Sequence, residues 1–151
     1  MSGQHPQIGD SAPPLEKTAG PADLVAYAGA TWDWHRIHYD AEFVASKQLP
    51  GPIVDGQVYG AWFVQLLQDW LGPQCFVRTL DFSFRNLVFA GETLRCEGTV
   101  TAVDDDQVTV DLTATVLGTD GAAERLGGGV DAGAADQRHD LLGQQRHSPS
   151  R

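Results

Sequence analysis

The chain has 151 residues, 20 of them acidic against 10 basic, for a formal net charge of −10 with histidine neutral. That length suits one domain, and a pI near 4.6 argues against a nucleic-acid surface, which gathers Lys and Arg on one face. No stretch reaches the roughly 20 apolar residues of a membrane span, and Met1 to Pro14 has no cationic segment followed by an apolar run, so a soluble cytoplasmic protein is expected.

Residues 1–14 are rich in Pro, Gly and Ser and read as a flexible N-terminal arm ahead of one domain over 15–130. Pro21-Ala22-Asp23-Leu24 starts a helix, with proline at the first position, an acid in the first turn and Leu24, Val25, Tyr27 and Ala28 as its apolar face. Asp33 to His38 then forms a loop or tight turn. A short helix over Ala41 to Lys47 is stopped by Pro50-Gly51-Pro52. From Ile53 to Leu71 apolar residues recur on all sides, which predicts a long buried helix ended by Gly72-Pro73. Gly56 and Gly60 give that helix a face that something can approach closely.

After the helix the hydrophobic period becomes two. Phe76 to Phe84, Leu94 to Val100 and Val108 to Val116 each alternate like strands. Asp104-Asp105-Asp106 fits a solvated turn better than a metal site, which needs more convergent ligands. Cys75 and Cys96 lie in strand-like segments and are expected to be buried free thiols. A return strand over Ala122 to Val130 follows the Asp120-Gly121 turn, weakened by Gly127-Gly128-Gly129. Residues 131–151 read as a polar tail, disordered at least from Gln137, and His139 and His147 within it carry no readable function. The elements add up to an α+β domain, an antiparallel sheet wrapped around a long buried central helix.

The chemistry sits in Thr31-Trp32-Asp33-Trp34-His35-Arg36-Ile37-His38-Tyr39-Asp40 and in Pro52-Ile53-Val54-Asp55-Gly56. Asp33 and His38 make a candidate general acid/base pair, and Gly56 at a helix start supplies an amide donor for an oxyanion. Together they suggest chemistry on a thioester carbonyl. Each residue also has an ordinary reading: a loop Asp is often a helix cap, and a His beside Tyr and Asp is often only a satisfied polar group. Asp40 fits a cap for the helix that follows it. Asp33, His35, His38 and Asp40 are all ligand types, but their spacing matches no zinc pattern and no metal is expected. Trp62 suits the core and an acyl contact alike. Arg78 and Arg85 are candidates for coenzyme A phosphates, or plain surface charge, and His35 is a pocket residue or an exposed structural one.

This arrangement resembles the MaoC-like hydratase family, also called hydratase 2, whose pattern runs roughly Asp-x-Asn-Pro-x-His-x-Asp, then a glycine about eighteen residues after the His. Asp33 and His38 fall on its catalytic positions, Asp40 on the trailing acid and Gly56 on the oxyanion-hole glycine. The match spans roughly Ala22 to Leu117, and His35 to Asp40 looks closest to the type 2 3-hydroxyacyl-thioester dehydratases. Val54-Asp55-Gly56 and Asp69-Trp70-Leu71-Gly72-Pro73 are also similar to the small catalytic subunits of actinobacterial steroid enoyl-CoA hydratases.

The resemblance implies a hot-dog fold and hydration of an enoyl thioester or the reverse, on an acyl-CoA or acyl-carrier-protein substrate, without a cofactor. It also implies a homodimer or a heteromer with a second hot-dog chain. A hot-dog thioesterase and a non-catalytic acyl-binding subunit remain the alternatives. Two departures stand out. His35-Arg36 replaces Asn-Pro, and Asp55 replaces the His that usually precedes the helix glycine, which makes Asp55 a candidate pocket residue.

Overall fold

The computed structural model describes residues 6–84, 86–104, 107–118, 123–124 and 130–136, the last two stretches by their backbone. Its centre is a long antiparallel hairpin, β3 (Thr93–Asp104) and β4 (Gln107–Leu117), paired from Thr93↔Leu117 to Asp104↔Gln107. Alternation decides its two faces. Leu94, Cys96, Val100, Val108, Val110 and Leu112 are buried on one side, while Glu97, Thr99, Asp111 and Thr113 face outward. β1 (Leu15–Thr18) pairs with β3, β5 (Ala123–Glu124) and β6 (Val130–Asp136) pair with β4, and β2 (Phe76–Val77) pairs with β6. The order is β1-β3-β4-β6-β2, with β5 beside β4.

Four helical pieces complete the fold: α1 (Pro21–Thr31), a 3-10 turn (Arg36–His38), α2 (Ala41–Ser46) and α3 (Gln57–Leu71). Tyr59, Phe63, Leu66 and Leu67 of α3 are buried in the same apolar cluster as Leu94 and Leu112, so the helix lies on the inner face of the sheet. Gly98 sets the approach: a Cβ there would come within 2.9 Å of Leu112 Cδ2 and 3.6 Å of Leu66 Cδ2. The α+β architecture and the helix inside it are as the sequence predicts. The helix is not buried all round, however. Ala61, Gln68 and Asp69 are exposed, because no described element covers that side.

Several boundaries move. The strand expected over Phe76 to Phe84 is a ladder only at Phe76↔Asp136 and Val77↔Ala135; no described strand pairs with 78–84. Its alternation still has a physical origin, since Leu80 and Phe82 pack on Gly60 of α3. The 1–14 arm is held along β3 from Gly9 on: Gly9 N donates to Val100 O and Ala12 N to Gly98 O, both at 2.9 Å, and Ala12 is buried. Backbone bonding to a free strand edge overrides the loop-like composition. β6 occupies 130–136, past the point where the tail was expected to start. Residues 137–151, and with them His139 and His147, lie outside the described residues, as do Asp105, Asp106 and the three glycines at 127–129.

Candidate active site

α1 ends at Trp32, whose φ of +62° and ψ of 23° put a non-glycine residue in the left-handed region. That conformation costs on the order of 1–2 kcal/mol and turns the chain sharply, leaving Trp32 81% exposed. Asp33 follows. Its Oδ1 accepts from His35 N at 3.1 Å, and His38 N donates to His35 O at 3.1 Å, closing the 3-10 turn. The His35 ring accepts from Ile37 N at 3.3 Å and lies edge-on to His38 and Phe43.

Asp40 caps α2, taking Phe43 N on Oδ1 at 3.0 Å, and pairs with Arg36 through Oδ2 at 2.7 Å. The Phe43 amide first, and Arg36 after it, hold the Asp40 carboxyl below the usual carboxylate range.

One residue ties the two motifs together. Ile53 N donates to Ile37 O at 3.1 Å, and Ile53 O accepts from His38 Nδ1 at 2.7 Å. Ile53 is itself anchored, because Val54 N donates to Val88 O and Ala90 N to Pro52 O, both at 2.8 Å. A carbonyl can only accept, so Nδ1 of His38 carries the proton in the neutral ring and Nε2 is the free base nitrogen.

These segments border a cavity of about 440 Å³. Leu24, Ala28, Val54, Val58 and Trp62 form much of its apolar wall, and Tyr27, Asp33, His38 and Asp55, with Lys17, Thr18 and Asp23, its polar part. One ligand atom each of Asp33, His38 and Asp55 lies within 4.8 Å of the others. Asp55 Oδ1 accepts from Gln57 N at 2.9 Å in the first turn of α3, while its Oδ2 is buried without a partner among the described residues. The Tyr27 hydroxyl is pushed up, by burial first and then by the charge of Asp55.

The structure thus brings Asp33, His38, Asp55 and Trp62 to one cavity. Gly56 opens α3 directly after Asp55, and its amide has no acceptor among the described residues. Its φ of −62° is ordinary; the glycine lets the Phe84 ring lie against the helix start, since a Cβ would come within 2.6 Å of Phe84 Cδ1 and displace that exposed ring. His35 is exposed and outside the cavity lining, and Arg78 is exposed and also outside it. Arg85 lies outside the described residues. The ligand-type residues that converge are not the four neighbours in the motif. Asp40 is committed to its cap and to Arg36, and Asp55 takes its place.

Sequence reasoning missed Tyr27 and Lys17 as lining residues. Tyr27 read as part of the apolar face of α1, and Lys17 drew no reading. Alternation along Leu15–Thr18 was the available signal for Lys17, with Leu15 and Lys17 both half-buried on one face.

A family model described as "MaoC like domain" matches residues 5–122. The chain is 31% identical over 131 residues to the (R)-specific enoyl-CoA hydratase of Aeromonas caviae, covering 86% of this chain and 97% of that protein. It is 25% identical over 103 residues to the 3-oxo-4,17-pregnadiene-20-carboxyl-CoA hydratase beta subunit of Mycobacterium tuberculosis, covering 68% and 80% respectively. The solved structure of an (R)-hydratase from A. caviae involved in PHA biosynthesis matches with a TM-score of 0.72 at 29% identity, over 87% of this chain and 96% of that one. The helix-on-sheet arrangement is therefore the hot-dog fold.

Proposed function

Because the chain belongs to the MaoC-like domain family, we propose that it hydrates trans-2-enoyl thioesters to (R)-3-hydroxyacyl thioesters, or dehydrates them in reverse. The observation that carries this reading is the convergence of Asp33 and His38 in one apolar-walled cavity beside the start of α3. Water adds through oxygen to C3, the C2=C3 pair moves toward the thioester, and C2 takes a proton. One proton leaves water and one arrives at C2, and Asp33 and His38 divide these transfers, with Nε2 of His38 available because Ile53 holds Nδ1. Enolate charge builds on the thioester oxygen. The Gly56 amide, at the amino end of a 15-residue helix, is the donor in the right class of position to receive it. The reaction moves protons and one carbon–oxygen bond without net redox change, so it calls for no redox cofactor.

The apolar wall formed by Val54, Val58 and Trp62 supports an acyl group as the part that enters, delivered on coenzyme A or on a carrier protein. A second hot-dog chain, either a copy or a homologue, covers the edge at 78–84. Phe84 within it is 58% exposed, and Phe76 and Leu87 to either side are 67% and 52% exposed, and an unpaired apolar edge favours pairing. The M. tuberculosis relative is by its name a beta subunit, which supports the heteromeric form equally.

The test is a panel of enoyl-CoA substrates with conjugated-thioester absorbance and free thiol followed together, on the chain alone and with candidate partners. Absorbance should fall without thiol release. Thiol release from saturated and unsaturated substrates alike would make it a thioesterase, and no turnover under any condition would leave an acyl-binding subunit. Sedimentation should show a dimer or larger species, and a fully active monomer would contradict the assembly.

A further inference from the structure

Asp55 does more than begin a helix. Its Oδ1 already satisfies Gln57 N at 2.9 Å, which is all that capping requires, and Asn or Ser would serve as well. Its second oxygen is buried and has no hydrogen-bond partner among the described residues, an arrangement that forfeits the solvation of a charged atom unless a donor arrives from elsewhere. Asp55 lines the cavity, which gives a small donor there a route to its carboxylate. Atoms of Asp33, His38 and Asp55 lie within 4.8 Å of one another, and three atoms so spaced share a point about 2.8 Å from each, the length of a bond to one water oxygen.

We propose that Asp55 Oδ2 holds the water that attacks C3, as a third group of the reacting centre beside Asp33 and His38. The proposal rests on the hydration reading above. Of the water's two protons, one leaves to the Asp33/His38 pair as the oxygen–C3 bond forms, and that pair returns one to C2, so the count balances. The other proton stays on oxygen as the product hydroxyl. It needs an acceptor that orients it without removing it, and Asp55, fixed through Oδ1 by the α3 backbone, provides one. With that O–H directed at Oδ2, a lone pair of the water faces C3. In the dehydration direction the same oxygen orients the departing hydroxyl.

The experiment uses the full chain, with any partner it needs, and compares Asp55→Asn, Asp55→Ser and Asp33→Asn with the wild type. Asn and Ser keep the cap, but Asn places a donor where Oδ2 accepts and Ser leaves that position empty. Both should lower kcat by about ten- to a hundredfold with KM within about threefold and the melting temperature nearly unchanged. Wild-type kcat in Asp55→Asn and Asp55→Ser, with Asp33→Asn inactive, would reduce Asp55 to a cap and overturn the proposal while leaving hydration intact. No wild-type turnover would overturn both. A wild-type rate lost to EDTA and restored by a divalent cation would assign the three groups to a metal and equally overturn the water-holding role. If Asp55→Asn fails to fold, Asp55→Ser alone decides, together with a crystal structure of the wild type: an ordered water donating one O–H to Asp55 Oδ2 and the other to Asp33 or His38 is expected, and a protein donor on Oδ2 would refute it.

Discussion

Between Thr93 and Leu117 the backbone is paired through most of the β3–β4 hairpin and alternate side chains are closed to solvent, with Leu94, Cys96 and Leu112 at 0% exposure. Between Trp32 and Gly56 the side chains proposed for the chemistry are half-exposed, and each depends on one or two contacts: Asp33 on His35 N, His38 on Ile53 O, Asp55 on Gln57 N. The hairpin is ordered by burial summed over many residues. The loop is ordered by a few long-range and local polar bonds anchored on that hairpin's surroundings, such as Val54 N to Val88 O. On the proposed assignment, stability and chemistry are carried by different parts of the same domain, and substitutions should separate them.

The largest effect on folding is expected in the hairpin. Leu112→Ala removes a fully buried side chain and should cost about 2–5 kcal/mol in urea unfolding, lowering activity only through the folded fraction. A loss under about 1 kcal/mol would mean that the hairpin is not where the stability resides.

A smaller effect distinguishes the loop by its pH response. The Asp40 carboxyl is held below its ordinary range by Phe43 N and then by Arg36. Its folded value is thus lower than its unfolded one near about 4, so its contribution is complete above the unfolded value and is lost as pH falls through the folded one. Asp40→Asn keeps a capping oxygen without the titrating charge. Melting curves between pH 7 and 3 should show a shallower acid decline in that variant than in the wild type. Identical declines would place the acid sensitivity elsewhere.

The same contrast governs what could be read from sequence. Alternation marks β3 and β4 because one face of each is buried, and the spacing of Asp33 and His38 picks out two residues that line one cavity. The pairing of 76–84 was not legible: alternation reports a buried face, here against Gly60, and says nothing of whether a neighbouring strand exists. The Ile53 clamp was equally hidden, since it uses backbone atoms that any residue provides. Asp55 was visible only as a departure from the expected His. Its convergence with Asp33 and His38 depends on how Pro52–Gly56 is hung from Val88 and Ala90, and no periodicity encodes that. The expected capping of α2 by Asp40, by contrast, needs only local geometry and was legible.

The most direct measurement is enoyl-CoA turnover by Asp33→Asn, His38→Gln and the double variant, with circular dichroism and melting recorded on the same samples. Both single variants should fold as the wild type does and lose on the order of a hundredfold or more in kcat. The double variant should be little worse than the poorer single one, because both side chains serve one water and one proton exchange. Wild-type rates in both single variants would contradict a catalytic role for this loop.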